Sequence, residues 1–492
     1  MLSFRILSFA AMLRVGLYVF LHFSMGIAVS GSGLIGKRGG DTASYFDSIE
    51  HLLLDGHYTY SLSHLSAYAG RMPGYGVVYG FLRLWLPQNA ACDGIVLLQM
   101  VLAIVSLYYL GNLAYIVTKR QLVAYAVVFI SAVSPYVAQA DLYLLTESFA
   151  ASALLIGSYY FLRGISATSQ RHLLIAGAWL TWVVFLRPYM APLLVVLPAI
   201  YLYQHASQDR NLSKRIWLGG LLFLVPFVVV DGAWTIRNWV VCQQFIPLQA
   251  PYAGVEVSPV YLESRRFAAA LGEDPVQWNT SSIMAWLTLP QPPAQAAPKH
   301  WQLTRSATYD SLVWVRQRIQ AAKAEELLPE EQQPNTKQAV AALRRFHDAW
   351  VRERPFAYYV VAPLRLTYHL ALTGGGTSIF AWPFDELALW QRGIRLLFTF
   401  SHWLLIGASL LSYLSWPRKL SSGWLVVRLP PIYLVVLFVL GLRYVESRYF
   451  IVVYPLALLS GLAWLVQVKD SLAFRFRFRS KVHTDDQSHP AN

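Results

Sequence analysis

Long uninterrupted apolar blocks constrain this chain more than any other feature of its sequence. They include residues 94–117, 122–138, 217–230, 397–414 and 433–442. A helix that crosses a hydrocarbon layer about 30 Å thick needs about 20 apolar residues. Of the 492 residues, 56% are hydrophobic and 13% are charged, whereas an ordinary globular domain has about 25% charged residues. The sequence therefore predicts an all-α polytopic membrane protein, with about ten to twelve transmembrane helices.

The distribution of Lys and Arg predicts the topology. A formal net charge of +14 would suggest a nucleic-acid partner in a soluble protein, but basic residues also collect in the cytoplasmic loops of membrane proteins. This rule places residues 5–14 inside and predicts a first span at about residues 15–35. Segment 356–372 contains Arg365 and His369, and an Arg at the bilayer centre costs about 2.5 to 3.5 kcal/mol. We therefore expect that segment to lie on the outer face of the membrane, and we expect no nucleic-acid partner.

Four regions follow from this topology. Residues 1–235 form an N-terminal transmembrane module, whose first outer loop, about residues 36–92, is the predicted catalytic loop. Residues 236–391 form a small extracytoplasmic domain that includes the interfacial helix. Residues 392–470 form the C-terminal transmembrane helices, and residues 471–492 form a basic cytoplasmic tail. Alternating Phe and Arg at 475–479 predict that the tail contacts lipid headgroups.

The first loop places a carboxylate beside two cations at the end of the first span. Asp41 follows Lys37 and Arg38 closely. Transfer of a sugar to a hydroxyl needs a carboxylate to take the acceptor proton, and it needs cations to hold the leaving phosphate. Both residue types are present. The alternative is a solvated acid beside a basic pair.

Two further motifs add an arginine and a second acid. Arg71 precedes the turn formed by Pro73 and Gly74, and its planar guanidinium suits a phosphate. The alternative is a turn that leads into an interfacial helix. Glu147 stands at the start of a predicted helix, where the helix dipole favours an acid in any case. Together with Asp41 it would form a carboxylate pair able to bind a divalent cation, Mg²⁺ or Mn²⁺.

Two aromatic and charged motifs stand at the ends of later spans. One is Trp-Thr-Ile-Arg-Asn at 234–238, and the other is Glu-Ser-Arg-Tyr at 446–449. Trp and Tyr are common at membrane interfaces, and Arg at a helix end often extends its charged group toward water. Each motif alone therefore also fits a membrane anchor.

Taken in order, these five motifs resemble the GT-C class of integral-membrane glycosyltransferases, which use polyprenyl-phosphate sugars. The resemblance is closest to the bacterial branch related to protein mannosyltransferases and to the aminoarabinose transferase of lipid A. It covers nearly the whole chain. One departure is that Thr42 follows Asp41, where the family often has a second acid.

The resemblance implies an inverting transfer from a polyprenyl-phosphate donor to a hydroxyl of a lipid, glycan or protein. It places the active site on the extracytoplasmic side of a multi-pass protein of the bacterial inner (plasma) membrane. Asp41 would be the general base and Glu147 the second catalytic acid. The residues expected to hold the donor phosphate are Lys37, Arg38, Arg71, Arg237 and Arg448, and those expected to contact substrate are Tyr45, Tyr75, Glu446 and Tyr449.

Two other functions remain open at this point. An O-antigen ligase or polymerase also has many spans and a large outer loop, and it would use an Arg/His pair such as Arg344 or Arg345 with His347. A transporter or flippase of a lipid-linked glycan would place charges near mid-membrane and often shows repeated halves. In this sequence the charges gather at predicted helix ends, and no repeat is visible.

Overall fold

The computed structural model describes residues 4–24, 35–208, 214–254, 257–273, 282–291, 303–325, 328–380, 382–415 and 421–485. The polypeptide in these ranges is almost entirely helical. Its one β-like contact there is an isolated bridge between Lys37 and Tyr143. The side chains of the predicted Phe and Arg motif at 475–479 lie outside the described residues. The all-α class predicted from the apolar blocks is confirmed.

The helices follow one another with short connections. They are Phe4–Ser24, Thr42–Asp55, Pro73–Arg83, Gln88–Thr118, Gln121–Val133, Pro135–Leu142, Glu147–Ala167, Gln170–Leu186, Leu193–Gln208, Lys214–Cys242, Pro259–Ala270, Ile283–Thr288, Tyr309–Glu325, Pro334–Glu353, Ala362–Thr367, Leu389–Leu414, Ser422–Val435, Ser447–Ile451 and Tyr454–Asp485.

Six described helices are long and apolar enough to cross a membrane. They are Phe4–Phe23, Gln88–Thr118, Pro188–Ala206, Lys214–Cys242, Leu389–Leu414 and Ser422–Gly441, and the pair Gln121–Val133 and Pro135–Leu142, bent by 52°, would be a seventh. This number is lower than the predicted ten to twelve. Part of the difference comes from helix Glu147–Ala167, most of which is buried in the bundle. Because it contacts protein rather than lipid, it tolerates Ser and Tyr and lacks the hydropathy of a lipid-facing span.

The first helix begins at Phe4 rather than near residue 15. Arg14, which the topology argument placed in a cytoplasmic flank, lies in the middle of this helix and is buried. It forms an ion pair with Asp141 at 2.6 Å, and Tyr18 donates a hydrogen bond to the same carboxylate. A buried arginine persists within a span when its charge is paired in this way. The predicted start of the span is therefore wrong.

A second, smaller hydrophobic core lies outside the bundle. Helices Pro259–Ala270, Ile283–Thr288, Tyr309–Glu325 and Pro334–Glu353, here called the helical subdomain, bury residues such as Phe267 among themselves. The segment predicted to be interfacial, 356–372, is helical with π-helical turns. Its Leu366 and Leu370 pack into the core of the bundle. That segment therefore joins the subdomain to the bundle, and its interfacial position stays a prediction.

Candidate active site

Backbone hydrogen bonds fix the first loop to the loop that precedes helix Glu147–Ala167. The Lys37 amide donates to the Leu142 carbonyl at 2.8 Å, and the Leu144 amide donates back to the Lys37 carbonyl at 2.9 Å. The Thr42 hydroxyl then donates to the Leu144 carbonyl at 2.8 Å. Because Asp41 directly precedes Thr42, its carboxylate is held near the start of the following long helix.

The turn after Arg71 packs closely against a distant helix end. The indole of Trp182 donates to the Gly74 carbonyl at 2.9 Å. A Cβ atom at position 74 would lie 2.6 Å from the Phe185 carbonyl oxygen, so only glycine allows this approach. The turn therefore brings the segment of Arg71 against the segment that ends in Arg187.

Asp41 is held by two arginines from separate parts of the chain. Arg71 donates to its Oδ1 at 2.9 Å, and Arg448 lies 2.7 Å from its Oδ2. Arg71 also lies over the ring of Tyr45, with 4.6 Å between the guanidinium carbon and the ring centroid. The Asp41 side chain is 31% exposed, so small molecules can reach it. Burial raises the pKa of Asp41, but Arg448 and Arg71 outweigh this effect and lower the pKa to about 2.

Glu147 forms a deeper pair beneath Asp41. Its side chain is only 3% exposed and forms an ion pair with Arg187. Arg448 reaches the same carboxylate, with its Nε 3.7 Å from Oε1. The guanidinium of Arg187 lies 5.6 Å from the ring centroid of Tyr449. The site thus has an exposed tier around Asp41 and a buried tier around Glu147, and Arg448 contacts both.

The motif at 446–449 completes the cluster. Glu446 accepts hydrogen bonds from the hydroxyl of Tyr449 at 2.9 Å and from Nε of Arg448 at 2.5 Å, and the hydroxyl of Tyr444 also donates to it. Arg448 therefore contacts three carboxylates. The cluster as a whole combines three carboxylates, Asp41, Glu147 and Glu446, with three guanidinium groups, Arg71, Arg187 and Arg448, so its formal charges balance.

This arrangement does not fit the divalent cation predicted between Asp41 and Glu147. The guanidinium of Arg448 contacts both carboxylates, and it is a fixed positive charge in the place where a metal ion would bind. Among the described residues, no group of three or more His, Cys, Asp or Glu side chains is arranged to hold a metal ion. No chemical step proposed below depends on a metal.

The structure brings most of the predicted site residues together. Those in the cluster are Asp41, Tyr45, Arg71, Glu147, Glu446, Arg448 and Tyr449. Tyr75 is not among them: it is fully buried and donates to the side-chain oxygen of Gln99 at 3.0 Å. Its role is to anchor the helix that follows the turn.

The other three predicted cations have different partners. Arg237 donates to the carbonyls of Tyr58 and Tyr68, so it ties two parts of the first loop together. The Nζ of Lys37 lies over the ring of Tyr143, and Arg38 interacts electrostatically with Asp47. Since these contacts hold the cations elsewhere, the structure does not bring them into the cluster.

Arg187 is the cluster residue that the sequence argument did not single out. It ends helix Gln170–Leu186 and precedes Pro188. A positive charge at a helix C-terminus interacts favourably with the helix dipole, which hides a further role. The available signal was an arginine within an otherwise apolar stretch, since such residues usually have a partner and a function.

The two alternative functions meet different outcomes. The guanidinium of Arg344 pairs with Glu263 at 2.7 Å, while His347 lies beside Asp348. The Arg/His pair that a ligase would need thus has other partners. The expectation that charges gather at helix ends is only partly met, because Arg14 and Arg428 are buried within spans.

Comparison with known proteins adds a family match over part of the chain. Residues 85–232 match the model of the dolichyl-phosphate-mannose-protein mannosyltransferase family. This segment contains Glu147 and Arg187 but not Asp41, Arg71 or Arg448. No curated protein sequence matches the chain.

Similar solved structures include AglB, the archaeal oligosaccharyltransferase of Archaeoglobus fulgidus, in complex with an inhibitory peptide and a dolichol-phosphate. It is 13% identical, with 99% of this chain and 52% of that chain covered and a TM-score of 0.47. This chain thus spans about half the length of AglB. ArnT from Cupriavidus metallidurans is similar in its apo state (13% identity, TM-score 0.35) and bound to undecaprenyl phosphate (12%, 0.34), each with 93% of this chain and 76% of that chain covered.

The long apolar helices and the family match agree with the sequence prediction. Over residues 85–232, this integral membrane protein is similar to the dolichyl-phosphate-mannose-protein mannosyltransferases, which confirms the resemblance to the GT-C membrane glycosyltransferases that the motif order predicted.

Proposed function

We propose that this protein transfers a sugar from a polyprenyl-phosphate donor to a hydroxyl acceptor, with Asp41 as the general base. The observation that carries the proposal is the exposed carboxylate of Asp41, held between Arg71 and Arg448. A carboxylate for the proton and arginines for the phosphate are the two requirements of this transfer. Here they lie within hydrogen-bond distance of each other.

The transfer is a single displacement at the anomeric carbon of the donor sugar. The bond between that carbon and the phosphate oxygen breaks, and its electron pair leaves with the phosphate. The acceptor oxygen attacks from the opposite face and forms the new bond, which inverts the configuration. The acceptor proton passes to the carboxylate of Asp41. The products are the glycosylated acceptor and the polyprenyl phosphate.

The arginines couple donor binding to activation of the base. A pKa of about 2 makes Asp41 a weak base while Arg71 and Arg448 hold it. A donor phosphate is a competing anion for the same guanidinium groups, and Arg forms bidentate pairs with phosphate. When the phosphate takes these arginines, the pKa of Asp41 rises toward its ordinary value, about 3.9. The base therefore becomes stronger only when donor is present.

The buried pair of Glu147 and Arg187 supports this exchange. Glu147 contacts Arg448 from below while Arg448 contacts Asp41 from the exposed side. After the phosphate separates Arg448 from Asp41, Glu147 still holds the guanidinium in place. We assign Glu147 this positioning role, and the second acid that the motif predicted thus acts through Arg448.

An apolar cavity next to the cluster suits the lipid part of the donor. It has a volume of about 350 Å³ and is lined by residues that include Tyr136, Leu397 and Tyr454. The hydroxyl of Tyr136 donates to the carbonyl of Ser447, the residue before Arg448. The first prenyl units would lie in this cavity, with the phosphate at the arginines. We place the site on the extracytoplasmic face of a bacterial inner membrane, in line with the distribution of basic residues.

Sugar transfer by purified protein tests the proposal. Wild-type protein and Asp41→Asn are incubated with radiolabelled polyprenyl-phosphate sugars and with cell-envelope fractions that contain lipid, glycan and protein acceptors. We expect incorporation of label by the wild type and its loss in the variant. Absence of incorporation from every donor of a broad panel, with folded protein, would contradict the proposed function.

A further inference from the structure

A second cavity opens between the helical subdomain and the segment that leads to the charged cluster. It has a volume of about 410 Å³, and we call it the arginine recess. The subdomain contributes Arg265 and the bundle side contributes Arg443, Leu440 and Leu442. None of these residues belongs to the site described above, so the recess needs its own explanation.

Two guanidinium groups of the recess are oriented by aromatic rings. The guanidinium carbon of Arg265 lies 3.6 Å from the ring centroid of Tyr444, and that of Arg443 lies 3.6 Å from the ring centroid of Tyr358. Stacking on a ring face fixes the plane of a guanidinium and leaves its N–H groups available at the edges. The rings therefore hold both cations ready for a ligand.

Neither guanidinium has a counter-ion. Among the described ion pairs, neither Arg265 nor Arg443 pairs with a carboxylate. Glu263 also lines the recess, but its carboxylate is engaged by Arg344 at 2.7 Å. Nη1 of Arg443 is buried and makes no hydrogen bond. The recess thus holds uncompensated positive charge and an unused donor, which an anion with several acceptor oxygens would satisfy.

The rim of the recess is apolar on the bundle side. Leu440 and Leu442, at the end of helix Ser422–Gly441, are exposed. Positive charge directly beside exposed leucines at the end of a span suits a lipid, with its phosphate on the arginines and its chains along the helix. A water-soluble anion would make no use of the leucines.

The recess communicates with the charged cluster through one layer of side chains. Arg265 stacks on Tyr444, the hydroxyl of Tyr444 donates to Glu446, and Glu446 accepts from Arg448. A headgroup in the recess therefore lies beside the proposed site of transfer. Arg443 itself has φ 47°, a conformation that is uncommon for residues other than glycine and that is often retained at binding sites.

We propose that the arginine recess binds the phosphate of a membrane-embedded acceptor lipid and so presents that lipid to the sugar donor. The inference rests on the proposed function for the word acceptor, but binding of the phosphate can be tested without turnover. The recess would then select acceptors that carry an anionic headgroup, and Asp41 and its arginines would act on the donor and on the acceptor hydroxyl.

Lipid retention tests the recess directly. Full-length protein is purified in a neutral detergent, mixed with phosphatidic acid, phosphatidylcholine or inorganic phosphate, and examined by native mass spectrometry. We compare the wild type with the double variant Arg265→Gln, Arg443→Gln. The charge-matched control is Lys337→Gln, Arg345→Gln, which removes two cations from helix Pro334–Glu353 that do not line the recess. If the double variant fails to fold, Arg265→Gln alone serves.

We expect the wild type and the control to retain phosphatidic acid at least about tenfold better than phosphatidylcholine, and the recess variant to lose this preference. Equal retention by the recess variant would overturn the inference. Displacement of phosphatidic acid by equimolar inorganic phosphate would also overturn it, because the lipid chains would then contribute nothing.

Sugar transfer separates this inference from the proposed function. The recess variant should retain its affinity for polyprenyl phosphate and should need at least about tenfold more anionic acceptor for half-maximal transfer. If Asp41→Asn transfers sugar normally while the recess variant loses phosphatidic acid, the proposed function fails and the recess stands. The reverse pattern overturns the recess alone.

Discussion

Two aspartates of this protein pair with arginines in opposite ways. Asp141 is 1% exposed and its carboxylate is enclosed by Arg14, Tyr18 and Ser148, which all contact it at 2.5 to 2.6 Å. Asp41 is 31% exposed and has only arginines as ion-pair partners. An enclosed, fully bonded carboxylate is typical of structure, whereas an open one with exchangeable partners can take part in chemistry. The ion pair itself does not distinguish the two roles.

The partners differ as much as the exposure. Arg14 also donates to the carbonyls of Ser131 and Ser134, at the bend between helices Gln121–Val133 and Pro135–Leu142. It thereby satisfies main-chain groups that the bend leaves open. Arg448, by contrast, is shared among three carboxylates. A shared guanidinium can leave one partner and keep the others, so the exposed tier is built for exchange.

The largest expected effect is the loss of transfer in Asp41→Asn. The amide has nearly the same shape but cannot take the acceptor proton, and general-base catalysis contributes about 10² to 10⁴ in rate. We expect a loss of this size in single-turnover transfer, with an unchanged unfolding temperature. Asp55→Asn is the matched control, since it lies at the other end of the same helix and is exposed.

The reverse outcome is expected for Asp141→Asn. This change leaves the charge of Arg14 buried without a counter-ion, which costs about 3 to 5 kcal/mol of stability. Thermal unfolding in detergent should show a large decrease, and any protein that still folds should transfer sugar. Combining Asp141→Leu with Arg14→Met should recover much of the stability, because neither charge then remains buried. Full stability in Asp141→Asn would remove the contrast between the two aspartates.

The arginines of the exposed tier should affect donor affinity. Arg71→Gln removes one charge-assisted hydrogen bond to the phosphate, which is worth about 1.5 to 3 kcal/mol. Binding of polyprenyl phosphate should weaken about tenfold to a hundredfold, and Arg448→Gln should do the same. Arg237→Gln is the control, because its contacts are with loop carbonyls. An effect of Arg71→Gln on acceptor saturation alone would move this arginine out of the phosphate site.

A smaller effect is expected in the pH dependence. The pKa of Asp41 is lowered to about 2 in the free protein, so its carboxylate stays ionised above about pH 4 and is protonated only as the pH falls through about 2. The profile of kcat/KM reports the free enzyme and should show no acid limb from Asp41 above pH 4. The profile of kcat reports the bound state, where the arginines hold phosphate, and its acid limb should lie about one to two pH units higher. Coincident limbs would contradict the exchange.

The sequence predicted the exposed tier better than the buried one. Asp41, Arg71 and Arg448 stand at helix ends in polar motifs, where a side chain that costs energy in lipid signals its own importance. Arg14 also stands out in its helix, but its partner Asp141 lies 127 residues away. Without that partner, the arginine is indistinguishable from a cytoplasmic flank, and the first span was therefore placed too late.

Arg237 shows the opposite limit of sequence reasoning. It belongs to a motif that matched the expected order, yet its partners are the main-chain carbonyls of Tyr58 and Tyr68. Carbonyl groups belong to every residue, so no pattern of side chains reveals that they will accept from a given arginine. The number of spans was overestimated for a related reason: helices buried among other helices obey the rules of protein packing rather than those of lipid exposure.

The affinity of Asp41→Asn for polyprenyl phosphate tests the central claim most directly. If Asp41 and the donor phosphate compete for Arg71 and Arg448, removing the carboxylate charge frees the arginines. Binding should then tighten by about tenfold, equivalent to about 1.4 kcal/mol, while transfer is lost. Asp55→Asn should bind as the wild type does. Equal or weaker binding by Asp41→Asn would show that Asp41 and the phosphate do not exchange these arginines, and the account would be wrong.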